Sequence, residues 1–161
     1  MITQNELKEL IIYDDETGEF RWAKNHGKCR SGTLAGCVRG GYRSININKN
    51  RYLAHRLAWL YVYGEHPHMD IDHINEIKTD NRISNLRIAN RKENIRNQSI
   101  KASNTSGFKG VHYKKDKGRW CARIRTDSGR IFLGYYSTPE DAHKAYVIAC
   151  HKYHGDFSNV G

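Results

Sequence analysis

The residues of this chain that are best suited to chemistry are concentrated between Met69 and Asn97. Asp72 and His73 stand side by side where an apolar-polar alternation ends. Neighbouring side chains of an extended segment point to opposite faces, so the two groups can act separately. A carboxylate can hold a hard divalent cation such as Mg²⁺, and an imidazole can take a proton from water. A metal and a general base together are what phosphodiester hydrolysis requires.

The sequence around this pair predicts a strand, a polar loop, a second strand and a helix. Residues 85–89 (Asn-Leu-Arg-Ile-Ala) form the second strand, and Asn90 can cap a helix over residues 91–97 with Glu93 as its capping-box partner. This compact arrangement would bring four polar residues together, namely Asp72, His73, Asn85 and Asn94. An Asp-His pair by itself is also typical of a surface loop with a solvated His, so the pair alone does not identify a site.

The wider pattern of DHIN, DNRISNLR and NRKEN resembles the HNH nuclease family, whose catalytic unit is a ββα-metal fold. The resemblance implies that His73 is the general base, that Asp72 is a metal ligand, and that Asn85 orients the base and ties the hairpin together. Asn94 stands where the family often has a second His, as in the HNN subgroup of phage enzymes. That departure implies a single Mg²⁺ (or Mn²⁺) held by Asp72, Asn94 and water rather than a Zn²⁺ held by two His.

The composition favours a polyanionic partner. The chain has 161 residues, with 27 Lys and Arg against 17 Asp and Glu, for a formal net charge of +10. It has no run of 18 apolar residues and no signal-like N-terminus, which predicts no membrane partner and a cytoplasmic location, in the host cell if a phage encodes the protein. The cysteines form no CxxC pair, which predicts reduced thiols rather than a disulfide frame or a zinc ribbon.

The order of the predicted elements indicates an α+β protein with several parts. Residues 1–41 are predicted to form a supporting region, with a short helix, a hairpin around the turn of YDDETGEFRW and a basic loop. Residues 42–98 are the predicted nuclease unit, which begins with a second hairpin through YRSININ and a helix over AHRLAWLYVYG. Residues 99–106 read as a polar linker and residues 107–161 as a separate domain.

The C-terminal part predicts three antiparallel strands and a helix. The strand-like runs are GFKGVHY, RWCARIR and RIFLGYY, and Thr138 with Pro139 predicts the start of the helix. One sheet face would pack on this Ala-rich helix through Trp120, Ala122, Ile124, Ile131 and Leu133. Strand alternation assigns the other face to Arg119, Cys121, Arg123, Arg125, Arg130 and Phe132.

Between Lys109 and Arg130 there are eight Lys and Arg but only two Asp. A basic outer face can be merely solvated, but solvated faces usually mix signs, and a sheet face can enter a major groove.

The three runs and the closing HGDFSN also resemble the Apetala-two/ERF DNA-binding domain. The resemblance places base contacts at Lys109, His112, Arg123, Arg125, Arg130 and Phe132, and we add Lys114 and Arg119 as further DNA contacts. Arg123 and Phe132 depart from the residues common in that family, which leaves the target sequence open.

The combined prediction is a site-directed, metal-dependent endonuclease of double-stranded DNA, of the freestanding homing type found in phages, with no small-molecule cofactor. A rival prediction from another class is a DNA-binding regulator whose nuclease unit is vestigial, and a third is an RNA-directed enzyme. The sequence leaves open the oligomeric state and the choice between a nick and a double-strand break.

Overall fold

The computed structural model describes residues 1–96, 100, 103–155, 158 and 160, and within them it forms helices and small antiparallel sheets. The helices are α1 (Gln4–Leu10), α2 (Ala54–Tyr63), α3 (Arg91–Arg96) and α4 (Pro139–His154). The strands are β1 (Ile11–Tyr13), β2 (Phe20–Trp22), β3 (Cys37–Arg39), β4 (Tyr42–Ile47), β5 (Asn50–Leu53), β6 (Asp70–His73), β7 (Leu86–Ala89), β8 (Val111–Lys114), β9 (Arg119–Thr126) and β10 (Gly129–Tyr136). The predicted α+β class is confirmed.

The chain divides into two compact units, residues 1–90 and residues 91–161. Helix α3, which completes the predicted strand-strand-helix motif, belongs to the second unit. The predicted division into residues 1–41, 42–98, 99–106 and 107–161 stays a prediction. Part of the predicted linker, part of the closing HGDFSN and the predicted extension of α3 to Asn97 lie outside the described residues.

The first unit begins with a helix and a hairpin, as predicted. Thr3 caps α1 through a capping box, in which its side chain accepts from the Glu6 amide and the Glu6 carboxylate accepts from the Thr3 amide. Strands β1 and β2 pair antiparallel, and each buries its first and third residues while exposing its middle one. This alternation places Ile11, Phe20 and Trp22 in the core.

The second sheet of this unit has the order β3-β4-β5 and packs on α2. Ile45 and Ile47 of β4 lie in one core with Leu57 and Leu60 of α2. Strand β3 was not predicted, because all three of its residues are exposed and show no apolar alternation. One core cluster runs from Ile2 through to Leu86, so residues 1–41 and 42–90 share their apolar interior.

The second unit consists mainly of a sheet of order β10-β9-β8 with α4 packed against it. The Thr138 hydroxyl caps α4 by accepting from the Asp141 amide, and Pro139 occupies the first turn, both as predicted. Gly110 permits the close approach of helix and sheet, because a Cβ there would lie 2.1 Å from the Tyr146 ring. No helix in the described part of the chain is long and apolar enough to cross a membrane.

Candidate active site and DNA-binding face

Hairpin β6–β7 holds the two residues that were predicted to carry the chemistry. Asp72 lies opposite Arg87 and His73 opposite Leu86 in the antiparallel register. Strand alternation sends the Asp72 and His73 side chains to opposite faces, yet both are buried, at 6% and 5% exposure. Burial of two polar side chains at one strand end is unusual unless partners compensate for the lost hydration, so each side chain needs such partners.

The Asp72 carboxylate is paired with a guanidinium across the hairpin. Oδ2 of Asp72 accepts from Nε and Nη2 of Arg87 at 2.9 and 2.8 Å. This charge-assisted pair compensates for the burial of the carboxylate. A divalent cation that reached Asp72 would therefore share the carboxylate with Arg87.

The His73 ring faces Asn81, which sequence reasoning had not singled out. Nε2 of His73 lies 3.4 Å from Oδ1 of Asn81, and Nδ2 of Asn81 donates to the Thr79 carbonyl at 3.0 Å. The second bond fixes the orientation of the amide, so its oxygen faces the imidazole. Because an amide oxygen can only accept, this contact places the imidazole proton on Nε2 and makes Nδ1 the basic nitrogen.

Three other side chains enclose the His73 ring. His55 of α2 meets it edge to face, with ring centroids 5.1 Å apart, and the Tyr42 ring lies 6.1 Å away. The ammonium of Lys78 sits over Tyr42 at 5.1 Å. Burial lowers the pKa of His73 below its usual value, although Asn81 and Asp72 oppose the shift. His73 is therefore a neutral imidazole near pH 7.

His55 is the more strongly perturbed of the two histidines. Burial, followed by the neighbouring His73 and Arg56, lowers the pKa of His55 to about 3. Its Nδ1 is buried and has no hydrogen-bond partner within the described structure. If His55 were charged, it would repel a proton that His73 accepted. Because His55 is neutral, this repulsion is absent.

Asn85 ties the catalytic loop together, and its predicted role in orienting His73 stays a prediction. Its Oδ1 accepts from the Asn75 amide at 3.0 Å, and its Nδ2 donates to Asn75 Oδ1 and to the Asp80 carbonyl, both at 2.9 Å. These bonds close the loop that joins β6 to β7. The His73 ring itself hydrogen-bonds to the side chain of Asn81.

The first hairpin of the chain supports this loop from behind. The Tyr13 hydroxyl donates to the Asn81 carbonyl at 2.7 Å. Gly18 packs so closely on the same segment that a Cβ there would lie 2.4 Å from the Arg82 nitrogen. These contacts join residues far apart in the chain, so no local pattern marks Asn81. The only sequence signal was its place in the Asn-rich loop.

The predicted second metal ligand, Asn94, lies half-buried on α3 in the second unit. Its partnership with Asp72 stays a prediction. Among the residues that the structure describes, no group of three or more His, Cys, Asp and Glu is placed to hold a metal ion.

The second unit presents the predicted basic sheet face. The register pairs Lys114 with Arg119, Arg123 with Phe132, and Arg125 with Arg130. Cross-strand partners share a face, so these six residues lie on one side of the sheet. His112 joins them, since it pairs with Cys121 two residues from Arg123. Lys109 precedes β8 and is not assigned to a face by the register.

One member of the predicted face is covered. Cys121 is fully buried, although strand alternation places it with the arginines. It lies on the middle strand between His112 and Tyr135, and these larger neighbours shield its small side chain. A β-bulge between Phe132 and Gly134 sets this register on β10 and was not predicted.

The positive charges of this face affect the groups that lie among them. Burial lowers the pKa of His112, and the charges of Arg123 and Lys114 lower it further. A cavity of about 400 Å³ is lined by His112, Arg123, Arg125 and Arg130 among others. Phe132 remains 51% exposed in this cationic surrounding. Cations with an exposed aromatic ring between them are typical of nucleic-acid contact surfaces.

Comparison with known proteins matches one segment of the chain to an endonuclease family. Residues 52–96 match the family model described as HNH endonuclease, and this segment contains α2, β6 and β7. The chain is also 42% identical over 57 residues to protein 3.8 of Escherichia phage T7, which covers 35% of this chain and 47% of the phage protein. Hairpin β6–β7 with Asp72, His73 and Asn85 therefore lies within the segment that matches the HNH endonuclease model.

Two plant proteins are similar over most of the chain. The AP2-like ethylene-responsive transcription factor CRL5 of Oryza sativa subsp. japonica is 30% identical over 143 residues, and ANT, of the same description, from Arabidopsis thaliana is 29% identical over 138. Each match covers 82% of this chain, which spans only about a fifth of either factor, 20% and 23%. A solved structure of the HNH homing endonuclease I-HmuI, titled for DNA binding and cleavage, aligns with a TM-score of 0.44 at 20% identity and covers 90% of this chain and 85% of that one.

Proposed function

We propose that this chain is a metal-dependent endonuclease that hydrolyses phosphodiester bonds in double-stranded DNA, a freestanding homing-type enzyme of a phage that acts in the host cytoplasm. The observation that carries the proposal is a buried, neutral His73 beside a buried Asp72, on a hairpin within the HNH endonuclease segment. The similarity to a T7 protein supports the phage origin.

His73 has the properties of a general base for water. A base must be unprotonated at working pH, and burial keeps the pKa of His73 low enough for that. The contact with Asn81 Oδ1 leaves Nδ1 as the accepting atom. The proton removed from the attacking water would reside on Nδ1 and would give a cation that the nearby Asp72 and Asp80 charges favour.

Asp72 and Asn94 would hold one Mg²⁺ or Mn²⁺, which when bound would stabilise the negative charge of the leaving 3′ oxygen. Their oxygen donors suit a hard cation. Arg87 keeps the Asp72 carboxylate in place and buried. Asn85 serves the reaction indirectly, because it keeps the loop closed and so holds Asn81 against His73.

The sheet face of the second unit would position the enzyme on duplex DNA. Arg123, Arg125 and Arg130, with Phe132, would contact base edges, and Lys114 and Arg119 would contact phosphates. Lys109 and His112 complete the proposed contact set. The similarity to AP2-like transcription factors, which covers most of the chain, supports this assignment.

That same similarity favours the rival function, a DNA-binding regulator without catalysis. Supercoiled plasmid separates the two: the full-length chain should convert it to nicked or linear product with Mg²⁺ or Mn²⁺, and EDTA should stop the conversion. Protein purified without added metal should contain no stoichiometric zinc. Plasmid that stays supercoiled in both metals, while the protein still binds it, would favour the regulator.

A further inference from the structure

The longest run of the sequence in which all charged residues have the same sign lies outside the predicted DNA-binding sheet. Residues 20–64 contain nine Lys and Arg and no Asp or Glu. Residues 109–130, by comparison, contain eight Lys and Arg with two Asp. A run of 45 residues without a carboxylate concentrates positive charge in one stretch of the chain, which is typical of a polyanion-binding surface.

Three of these nine cations have structural roles. Arg21 pairs with Glu19 at 2.8 Å. Arg43 donates to the Ala35 and Gly36 carbonyls, and Arg56 donates to those of Pro67 and Met69. The other six are exposed and make no ion pair within the described structure. They are Lys24, Lys28, Arg30, Arg39, Lys49 and Arg51.

Two of the six lie on one face of sheet β3-β4-β5. Arg39 pairs with Tyr42, and Arg51 pairs with Asn46, which is two pleats further along β4. Cross-strand partners and alternate residues share a face. The opposite face carries Ile45 and Ile47 into the core, so the face with Arg39 and Arg51 points away from it.

This face leads directly to the proposed base. Tyr42, the cross-strand partner of Arg39, has its ring 6.1 Å from the His73 ring. Lys78 from the catalytic loop lies over the same Tyr42 ring and adds a further cation at the junction. Arg51 lies about 13 Å along the sheet from Tyr42, at the usual rise of a strand. A duplex with a phosphate at His73 would carry one negative charge about every 1.7 Å beside this face.

We infer that the face formed by Arg39, Tyr42, Asn46 and Arg51 is a second DNA-binding surface, which holds phosphates of the duplex next to the scissile bond. The inference deepens the proposed function and rests on it. Its contacts are with the backbone, since exposed cations on a short sheet bind phosphates without reading bases. The second unit would then select the site, and this face would hold the substrate strand against His73.

The test uses the full-length chain with a random-sequence duplex in EDTA, so that binding is measured without cleavage. Dissociation constants are taken over a range of salt concentrations for Arg39→Gln, Arg51→Gln and the double variant. Each lost phosphate contact should reduce the slope of log affinity against log salt by about 0.9, and the double variant should lose about 1.8. The matched control is Lys8→Gln, which removes one exposed charge from α1 of the same unit and should leave the slope unchanged.

Charge-retaining variants serve as controls that separate the loss of a charge from misfolding. Arg39→Lys and Arg51→Lys keep a phosphate contact, so their slopes should stay close to that of the unchanged chain. A double Gln variant whose slope equals that of Lys8→Gln, with its thermal midpoint unchanged, would overturn the inference. A competition experiment could also overturn the inference. If single-stranded RNA displaced the duplex from the unchanged chain but not from the double variant, the face would be an RNA-binding surface.

A plasmid assay with Mg²⁺ separates this inference from the proposed function. If the unchanged chain cleaves in neither Mg²⁺ nor Mn²⁺, the nuclease proposal fails. The assignment of this face to the scissile strand then fails as well, even if the salt slopes show that the face binds DNA. If the chain cleaves and the Gln variants bind and cleave as it does, only this inference fails. Support requires cleavage by the unchanged chain together with weaker binding and slower cleavage at subsaturating concentration by the double variant.

Discussion

Residues 1–90 bury six polar side chains, whereas the described part of residues 91–161 buries only apolar side chains and cysteines. The six are Ser44, His55, Asp72, His73, Asn81 and Asn85, and four of them lie on hairpin β6–β7 or its loop. The second unit instead exposes its polar groups, with arginines and lysines along one sheet face. The two units therefore differ in where they place charge and in its balance, since residues 1–90 have 13 Lys and Arg with 11 Asp and Glu, whereas residues 91–161 have 14 with 6.

This difference follows from the demands of the two tasks. A general base must have a shifted pKa and a fixed orientation, and both require burial with specific partners. Contact with phosphates and base edges requires cations that stay hydrated until DNA arrives. Buried polar groups reduce stability unless they are hydrogen-bonded, which explains why the buried Asn85 side chain bonds to Asn75 and Asp80 in the catalytic loop.

The largest expected effect lies in the first unit. His73→Ala should slow cleavage about 10²- to 10⁴-fold, the usual contribution of a positioned general base. DNA affinity in EDTA should hardly change, because His73 is buried and is not among the residues assigned to phosphate binding. Single-turnover cleavage of a labelled duplex measures the loss. Turnover close to normal in this variant would rule out the role assigned to His73.

Lowering the pH should destabilise the first unit, because it favours protonation of His55 in the unfolded chain. Its pKa is about 3 in the folded protein and 6.5 in the unfolded chain. Because the unfolded chain binds the extra proton, the contribution of His55 to stability is complete above about pH 6.5 and is lost as the pH falls toward 3. The loss should reach the order of a few kcal/mol. Urea unfolding at pH 7.5 and pH 5 should show a smaller drop for His55→Gln than for the unchanged chain, and equal drops would contradict the buried neutral state.

Asn85→Ala tests the polar network of the loop. The Asn75 amide and the Asp80 carbonyl would lose a partner, and each lost hydrogen bond costs about 0.5–1.5 kcal/mol, because neither residue is fully buried. The free energy of unfolding should fall by at least that amount. Asn46→Ala, at an exposed position, is the matched control and should stay within about 0.5 kcal/mol. A fall no greater than that of the control would show that the loop does not depend on Asn85.

In the second unit the expected effects concern binding. Arg123→Ala and Arg125→Ala should each weaken binding to the preferred site by about 1–3 kcal/mol and change binding to random duplex much less. The preferred site can be found by mapping cleavage positions on phage DNA. Equal losses on both substrates would assign the two arginines to phosphates and leave specificity to the first unit.

The smallest effect belongs to Lys114, which the account assigns to a phosphate. Lys114→Ala should weaken binding to preferred and random duplexes equally and reduce the salt slope by about 0.9. Glu140→Ala, which changes one charge on the surface of α4, serves as the control. A change in site preference in Lys114→Ala would instead identify a base contact.

The sequence predicted most clearly what depends on neighbouring residues. The Thr138-Pro139 start of α4, the first hairpin and the burial of Ile45 and Ile47 all follow from local caps, turns and alternation. The pairing of Asp72 and His73 at a strand end was predicted in the same way. Its recognition as a candidate site required the longer family pattern, because the local residues also fit a solvated loop.

What the sequence did not show depends on contacts between distant residues. Asn81 is placed at His73 by the fold of the loop and by Tyr13, which lies 68 residues away in the chain. The pairing of Asp72 with Arg87 depends on the hairpin register, and the burial of Cys121 depends on neighbours from two other strands. Strand β3 has no alternation to reveal it, because it is an edge strand exposed on both faces.

The most direct test of the division between the units measures two quantities on two variants. For His73→Ala and Arg123→Ala, the dissociation constant in EDTA and the single-turnover rate at saturating protein with Mg²⁺ are determined on the same duplex. The account predicts that His73→Ala loses rate but keeps affinity, and that Arg123→Ala loses affinity but keeps its saturating rate. A His73→Ala variant that cleaves at the normal rate once saturated, or an Arg123→Ala variant that binds normally but cleaves slowly, would contradict it.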